Sequence, residues 1–359
     1  MKIGVLLINI YTKYKIWQKR NWAVNVEKDN LNSIKLQNLT KKEKEDLKMT
    51  WGKLNLSIRP PFFMVFKTVA GFNPLYLSDD LFFPLIIRCL NPSEYTYAFE
   101  HKGFYSFLYK DIPQPTNYIK RIRNVLYDEE MNVISEKKAI EILVSKTTFI
   151  IKPAKSSCMG KNIKKIHLPD ENQIKNLLLE YKTDFVIQQY ISQSQQTSAF
   201  NKDSLNTFRI SSLYLNGKVS ICSIIFRCGQ GSSAVDNCGA GGLAVGVNED
   251  GSFKEYALDN KYRKHYSTLN GTQFKNYRIN EVANIVELVK NYHQRLFPHC
   301  GFIGWDICLD INDKPILIEV NLEFPGIQLE QLAIEKPIFG ERTQEVISFV
   351  TKERIYQHF

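Results

Sequence analysis

The chain has 359 residues, 44% of them hydrophobic and 23% charged, with a formal net charge of +10. This composition is that of an ordinary globular protein, and the length favours two or three packed units with a sizeable core. The basic balance suits an acidic ligand such as a nucleotide, a sugar acid or a phosphate-bearing lipid intermediate, although positive charge is more often just a solvated surface.

Three classes of protein are not expected. The seven cysteines are scattered with no CxxC pair, which predicts reduced thiols in a cytosolic protein rather than disulfides or a metal site. No dense basic–aromatic block, zinc finger or helix-turn-helix signature is present, so nucleic acid is not expected as a partner. The apolar segment 4–10 is too short to span a membrane and lacks the order of a signal peptide. We therefore expect a cytoplasmic location. A peripheral contact with the inner face of the membrane near Trp17 and Trp22 stays open, but an amphipathic helix packed on the body of the protein is the favoured interpretation of this segment.

Two regions are predicted before residue 146. Residues 1–60 are rich in Lys and Asn and predict a basic helical region, with a charged surface helix over 41–53 that Thr40 caps. Residues 61–145 carry many aromatic side chains between turn signals and predict mixed α/β structure. Ser135 is expected to cap a helix near the end of that region.

After residue 146 the predicted elements follow one another closely, and we divide them into the units 146–195 and 196–359. The predicted strands cover 148–153, 162–166, 184–191, 206–215, 218–227 and 243–247. The predicted helices cover 169–181, 280–297 and most of 326–356.

Lys152 ends a predicted strand just before a small, polar loop. A lysine in that place suits a phosphate, because the strand fixes the ammonium and loop N–H groups wrap the oxygens. The signal is weak alone, since Lys-Pro after a strand is commonly just a turn and the Walker A spacing is absent.

The segment from Gln188 to Ile191 is a second candidate. An adenine can form hydrogen bonds with backbone groups at a strand edge between two lobes. Apolar side chains then pack against both faces of its ring. Taken by itself, the segment is better explained as an ordinary buried strand.

Arg209 stands within an apolar strand. A strand arginine is usually a surface residue. Beside carboxylates it would instead clamp a transferring phosphoryl group, for which its planar fork is well suited.

Small residues crowd the segment 228–242. They weaken a strand, so they require a reason, and a flexible hairpin tip is one. The functional explanation is a backbone that approaches a ligand closely at Gly241 and Gly242, with Arg227 and Asn237 directed at the substrate.

Two apolar runs flank the pair Asn312-Asp313. If those two residues form a two-residue hairpin loop, Asp306 lies directly opposite Glu319, and Asn321 shares their face of the sheet. Like charges in that position repel each other, so something positive should lie between them. Hard oxygen ligands suggest Mg²⁺.

Taken in order, these pieces resemble the ATP-grasp superfamily. The common order is a mid-chain lysine, a strand with Lys-Pro and a small-residue loop, a hinge strand that ends in Gln-Tyr-Ile, a strand arginine, and Asp followed by Glu-x-Asn. The Asn-Thr-x-Arg strand at 206–209 and the Asp-Asn…Gly-Gly loop at 236–242 are similar to the ATP-grasp proteins associated with sugar transfer and polysaccharide biosynthesis. The resemblance covers about residues 35–350.

The resemblance implies an α+β ATP-grasp fold, two lobes that grip ATP, behind an N-terminal mixed α/β region. It implies that Lys102 and Lys152 contact the phosphates of ATP. It also implies that Ser156, Ser157 and Gly160 belong to a mobile loop that covers those phosphates. Contacts to adenine are implied for Gln188, Gln189 and Ile191, and a contact to the ribose for Gln195.

The same resemblance implies that Arg209 and Arg227 face the γ-phosphate and the acceptor, and that Asp306, Glu319 and Asn321 bind one or two Mg²⁺, with Mn²⁺ as the alternative ion. Three positions depart from the family pattern. Cys158-Met159 stand where glycine is usual, Gln188 stands where the hinge acid is often Glu, and His101-Lys102 replaces Asp-Lys. None removes a metal ligand, so an active enzyme is expected.

The implied activity is that of an ADP-forming ligase that joins a carboxylate, such as a sugar acid or its glycan, to an amine through an acylphosphate in capsule or exopolysaccharide biosynthesis. Glycan-assembly enzymes are the expected protein partners. Two alternatives stay open: a phosphotransferase that acts on a hydroxyl, and a non-catalytic module that binds nucleotide or glycan.

Overall fold

A computed structural model describes residues 2–155, 162–181, 184–231, 236 and 238–353, without the side chains of 2–10 and Leu31. The chain forms two antiparallel sheets with helices packed against each, in agreement with the predicted α+β class. Among the described residues, no helix is both long and apolar enough to cross a membrane.

The helices cover most of the N-terminal third and the C-terminus. They are α1 (Lys2–Leu31), α2 (Lys41–Trp51), α3 (Pro60–Ala70), α4 (Asp79–Leu81), α5 (Ile87–Leu90), α6 (Ser93–Glu100), α7 (Tyr105–Leu108), α8 (Glu136–Val144), α9 (Glu171–Glu180), α10 (Gln195–Ser198), α11 (Val282–Leu296), α12 (Gln328–Ile334) and α13 (Thr343–Glu353). A π-helical turn, Phe82–Ile86, joins α4 to α5.

Two predicted helix caps are confirmed. Thr40 forms a capping box with Glu43 at the start of α2, and the Ser135 side chain accepts from the Lys138 N–H at the start of α8. Each cap satisfies N–H groups that have no partner within the helix, which is why these helices begin where the sequence predicts.

The smaller sheet lies in the middle of the chain. Its strands are β1 (Asn117–Ile122), β2 (Val125–Tyr127), β3 (Thr148–Pro153), β4 (Lys164–His167) and β5 (Phe185–Gln189), in the order β2-β1-β5-β3-β4. This sheet therefore begins at 117, whereas the sequence analysis began the corresponding unit at 146. The difference arises because β1 pairs with β5, more than sixty residues later, and such a pairing leaves no local signal.

One face of the smaller sheet is a hydrophobic core. Phe149, Ile151 and Ile187 are fully buried there against α8 and α9. Side chains alternate along a strand, so Ile150 and Lys152 point to the opposite face, which is the face that lines the cleft described below.

The larger sheet carries seven strands. They are β6 (Thr207–Leu215), β7 (Lys218–Cys228), β8 (Leu243–Val247), β9 (Phe253–Leu258), β10 (Lys264–His265), β11 (Phe302–Leu309) and β12 (Pro315–Asn321), in the order β10-β9-β8-β7-β6-β11-β12. Helix α11 packs on one face, where Ile285 and Val289 belong to the same buried cluster as Phe208 and Trp305. The sequence analysis did not predict β9 or β10.

A buried ion pair fixes α1 on the body of the protein. Arg20 Nη2 lies 2.6 Å from Asp80 Oδ2, and both side chains are almost fully buried. Removing one partner of such a pair leaves an uncompensated buried charge, so the pair ties α1 to the start of α4. The packed helix leaves Trp17 and Trp22 exposed.

The β11–β12 hairpin has the predicted register near its open end but not the predicted loop. Asp306 pairs with Glu319 as expected, whereas Ile307 pairs with Leu317, so one residue of β12 bulges between them. The loop closes through the Asp310 N–H, which donates to the Lys314 carbonyl, and therefore holds three residues instead of two. The longer loop and the bulge compensate each other, and this compensation restores the register at Asp306.

Candidate functional site

A cleft of about 640 Å³ lies between the two sheets. The smaller sheet contributes Ile150, Lys152 and Gln188 to its lining. Ile150 pairs directly with Gln188, so their side chains share a face. The larger sheet contributes the predicted residues Arg209, Arg227, Asp306, Glu319 and Asn321. Strand alternation on both sheets therefore brings most of the predicted site residues to one cavity.

Two arginines hold the buried carboxylate of Asp306. Arg209 donates from Nε to Oδ1 at 2.5 Å and from Nη2 to Oδ2 at 2.9 Å, a bidentate pair across neighbouring strands. Arg227 Nη2 lies 3.1 Å from the same Oδ1. Burial alone would raise the pKa of Asp306, but the two guanidinium groups outweigh it and lower that pKa to about 2.

Glu319 lies opposite Asp306 and pairs with a lysine from another part of the chain. Lys102 Nζ donates to Glu319 Oε1 at 2.7 Å. The positive charge that the repulsion argument requires is thus supplied by side chains of the protein, namely Lys102, Arg209 and Arg227. We call these three residues, with Asp306 and Glu319, the ion-pair cluster.

Oxygen donors on Glu319 and Asn321 suit Mg²⁺, whereas both oxygens of Asp306 already accept from arginines. Asn321 directs its amide nitrogen at the Gly304 carbonyl and at Asp306, which leaves its amide oxygen to face a cation. Glu319 keeps 28% of its side chain exposed, and Lys102 contacts only its Oε1 in this arrangement. Magnesium in proteins is commonly held by one or two carboxylates together with substrate phosphates, and this donor set meets that requirement.

Lys152 is a buried ammonium that lines the cleft. Its residue is 6% exposed, and no carboxylate in the described part of the chain lies within ion-pairing distance of Nζ. Burial and the neighbouring charge of Lys102 lower the pKa of Lys152 to about 8. An anionic ligand would relieve both effects, since it supplies the missing counter-charge.

The predicted hinge segment is only in part as expected. Strand β5 lies between β1 and β3 and is not an edge strand, and the Gln189 N–H already donates to the Thr116 carbonyl. Gln188 donates from its amide to Asn117. The chain leaves the sheet after Gln189, and Tyr190 and Ile191 line the cleft at that point.

The backbone of the glycine-rich segment 228–242 is closely packed, but not against a ligand as the sequence analysis expected. A Cβ on Gly242 would stand 2.3 Å from the Asp236 carbonyl oxygen, so the close approach is between two parts of this chain rather than to a ligand. Gly241, with φ of +94°, is exposed. Neither glycine lines the cleft, whereas Arg227 does, held by Thr207 and Asp236.

Other predicted residues lie elsewhere. Gln195 is exposed on α10 and does not line the cleft, whose lining includes Gln193 instead. Lys102 does not line the cleft, donates to Glu319, and is itself 1% exposed. Ser156, Ser157, Gly160 and Asn237 lie outside the described residues.

Sequence reasoning missed Glu330, a buried acid of α12 beside the ion-pair cluster. Its Oε2 accepts from Ser211 at 2.6 Å and from Ser223. Its Oε1 lies 3.7 Å from Arg209 Nη1. Burial raises the pKa of Glu330 in spite of that arginine. A Glu on a short helix carries no signal that it packs under a sheet arginine 121 residues earlier in the chain.

Comparison with known families identifies one match. Residues 86–347 match the family described as sugar-transfer associated ATP-grasp. Among curated proteins no match was found.

Solved structures give weaker likenesses. D-alanyl-alanine synthetase A from Vibrio cholerae O1 biovar eltor is 18% identical, over 72% of this chain and 66% of that one, with a TM-score of 0.41. An L-amino acid ligase from Bacillus licheniformis is 15% identical, over 84% of this chain and 52% of that one, with a TM-score of 0.38. D-alanine-D-alanine ligase from Helicobacter pylori is 13% identical, over 71% and 58%, with a TM-score of 0.37. The chain thus spans less than two thirds of the length of each of these proteins.

Proposed function

Because the chain belongs to the sugar-transfer associated ATP-grasp family, we propose that it is a Mg·ATP-dependent ligase that joins a carboxylate to an amine through an acylphosphate. As part of the same proposal, the carboxylate is a sugar acid or its glycan, and the reaction belongs to polysaccharide biosynthesis. The same proposal assigns the smaller sheet to the small ATP-grasp lobe and the larger sheet to the large one.

The observation that carries the proposal is the placement of Lys152. A buried ammonium without a carboxylate partner in the described part of the chain faces the same cavity as Arg209 and Arg227. Three cations in one partly enclosed cleft suit the phosphates of a nucleotide, and their charges act more strongly there than in water.

The reaction needs positioned charge more than a side-chain base. A carboxylate oxygen of the substrate attacks the γ-phosphorus, the bond to the bridging oxygen breaks, and ADP leaves with that oxygen. The amine then attacks the acyl carbon, the carbon–oxygen bond to phosphate breaks, and the proton of the amine passes to solvent. Lys152 and Arg209 would stabilise charge on the transferring phosphoryl oxygens, while Arg227 would orient the acceptor. Bound Mg²⁺, held by Asp306, Glu319 and Asn321, would neutralise phosphate charge.

The test is a product-release assay. The full chain with Mg·ATP is offered a matrix of uronic acids and amines, and ADP and phosphate are quantified in the same sample. We expect ADP and phosphate in equal amounts, only where an acid and an amine are both present. Release of ADP without phosphate would instead indicate transfer to a hydroxyl and contradict the ligase.

A pair of variants ties the result to the site. Glu319→Gln removes a proposed metal ligand and should abolish release of both products. Glu287→Gln makes the same change on an exposed carboxylate of α11 and should leave release unchanged. Turnover that survives Glu319→Gln would show that the assignment of the metal ligands is wrong.

A further inference from the structure

The same cleft contains a second group of ionisable side chains, which the proposed reaction does not use. We call it the acidic cluster: Glu27 of α1, Asp79 of α4, Tyr262 after β9 and Gln328 of α12, all of which line the cavity. The Tyr262 hydroxyl donates to Glu27 at 2.5 Å and accepts from the Gln328 amide at 2.9 Å. Residues from four distant parts of the sequence therefore meet at this cavity, and three of them, Glu27, Tyr262 and Gln328, are joined by hydrogen bonds.

The acidic cluster contains buried oxygen atoms without partners. Among the described residues, nothing donates a hydrogen bond to Asp79 Oδ1 or to Gln328 Oε1. The two residues are only 8% and 2% exposed. A buried acceptor that receives no hydrogen bond is costly, because it has lost its contacts with water and gained nothing in return. Two such acceptors on the wall of one cavity indicate that a donor from outside the chain belongs there.

The electrostatic surroundings specify the charge of that donor. The charged groups that act most strongly on Asp79 are Glu27, Asp80 and Glu330, all of them acids. Burial and these neighbours raise the pKa of Asp79 well above its usual range, and burial raises the pKa of Glu27 as well. A bound cation would remove both penalties at once.

The backbone at Tyr262 supports a built site rather than an accident of packing. Its φ of +61° lies in the left-handed region, which is unusual for a bulky aromatic residue. This conformation places the hydroxyl between Glu27 and Gln328.

Glu330 connects the acidic cluster to the ion-pair cluster. Its Oε1 lies 3.7 Å from Arg209 and makes no hydrogen bond within the described structure, while its charge acts on Asp79. A group held by Asp79 would therefore share this cavity with Arg209, the arginine proposed to face the transferring phosphoryl group.

On these observations we propose that the acidic cluster is the binding site for the amine substrate, which it takes as an ammonium ion and which loses one proton to solvent before the neutral amine attacks the acyl carbon. That the bound amine is a substrate rests on the proposed function. That the cluster binds an ammonium ion does not, because it follows from the open oxygens and the neighbouring acids. A primary ammonium group supplies three N–H donors and one positive charge. Those features match the open oxygens of Asp79 and Gln328 and the surplus of acids around them.

Equilibrium binding tests this site without turnover. The full chain, saturated with Mg²⁺ and a non-hydrolysable ATP analogue, is titrated by calorimetry with ammonium, putrescine, glucosamine and lysine. Butane-1,4-diol and N-acetylglucosamine serve as the neutral analogues. We expect at least one amine to bind at least tenfold more tightly than its neutral analogue. Equal binding of amines and neutral analogues, or no binding by any amine, overturns the proposal.

Variants place the binding on the named residues. Asp79→Asn and Glu27→Gln should each weaken the amine at least tenfold while they leave the affinity for the ATP analogue unchanged. Asp29→Asn, an exposed acid two positions further along α1, is the matched control and should bind the amine as the parent does. Unchanged amine affinity in both cluster variants overturns the proposal, as does binding of Mg²⁺ alone that Asp79→Asn abolishes.

Glu27→Lys keeps the test decisive if a neutralising variant misfolds. The introduced ammonium should occupy the acidic cluster, raise the melting temperature and abolish amine binding. Retained amine binding in this variant overturns the assignment.

If amines bind the cluster but no acid–amine pair yields ADP and phosphate, the proposed function fails while the site stands. If ligation occurs and the KM for the amine is the same in both cluster variants as in the parent, the assignment of the amine site is wrong while the proposed function stands.

Discussion

Asp306 and Asp79 line the same cleft and are buried to the same extent, with 5% and 8% of each residue exposed. Two arginines hold the pKa of Asp306 at about 2 against the effect of burial. Burial and neighbouring acids push the pKa of Asp79 in the opposite direction. Burial therefore does not decide how a carboxylate in this cleft behaves, because the charges around it do.

The different surroundings of Asp306 and Asp79 indicate that the two regions of the cavity suit ligands of opposite charge. The ion-pair cluster satisfies its own charges, so an anionic ligand must compete with existing contacts or use Lys152, which pairs with no described carboxylate. In the acidic cluster, Asp79 Oδ1 and Gln328 Oε1 accept from no described residue, so a cation can bind there without displacing a described contact. One cavity thus offers a positive region and a negative region, as a reaction between an anion and an amine requires.

Neutralising each aspartate gives the largest expected contrast. Asp306→Asn leaves Arg209 and Arg227 buried without their shared counter-charge and should lower the free energy of unfolding by about 3–5 kcal/mol. Asp79→Asn removes a carboxylate that makes no ion pair with any described residue and should leave stability at pH 7 unchanged or raise it. Urea denaturation of both variants beside the parent measures the difference.

The pH dependence provides the internal check. The folded pKa of Asp306 is lowered, so its contribution to stability is present near neutral pH and is lost as the pH falls toward 2. The folded pKa of Asp79 is raised, so Asp79 favours folding at low pH and opposes it as the pH rises. The gain from Asp79→Asn should therefore shrink between pH 7 and pH 5. Equal losses of stability in the two variants would contradict the comparison.

Replacing the bidentate arginine should have the next largest effect. Arg209→Lys keeps the positive charge but loses the planar fork, so position 209 keeps at most one of its two contacts to Asp306 and clamps the phosphoryl group less well. We expect turnover to fall about 10²–10³-fold, the range for loss of one positioned electrostatic contact. The coupled ADP and phosphate assay measures it.

Arg342→Lys is the matched control. Arg342 also makes a bidentate pair, with Glu345 of α13, but it lies outside the cleft. Its replacement should leave turnover within about twofold of the parent. A similar loss in both variants would show that the effect comes from stability rather than from the site.

All members of the ion-pair cluster were candidate site residues from the sequence, whereas no member of the acidic cluster was, for a physical reason. Asp306, Glu319 and Asn321 belong to one hairpin, where strand alternation and a short loop limit the arrangements. Even there, the predicted pairing of Asp306 with Glu319 was right although the two-residue loop was wrong, because a bulge made up for the third loop residue.

The acidic cluster depends on packing that no local pattern encodes. Glu27 reaches the cleft because the Arg20–Asp80 pair ties α1 to α4, and these two residues are sixty positions apart. In the same way, a ligand was expected close to the Gly242 backbone, in the room where a side chain would otherwise stand. What fills that room, the Asp236 carbonyl, follows only from the fold.

Lys152 gives the smallest and most direct test of the positive region. Its pKa is lowered to about 8, chiefly by burial and then by Lys102, so the unliganded protein loses this charge as the pH rises through that value. Bound phosphates favour the ammonium, and ATP affinity should therefore fall about tenfold per pH unit above pH 8, as linkage to a single proton requires. Competition binding with a fluorescent nucleotide from pH 7 to 9.5 measures the slope. Lys152→Arg keeps its charge over this range and should remove the slope. If the slope persists in that variant, another group titrates, and the unpaired cation that distinguishes this region from the acidic cluster is not Lys152.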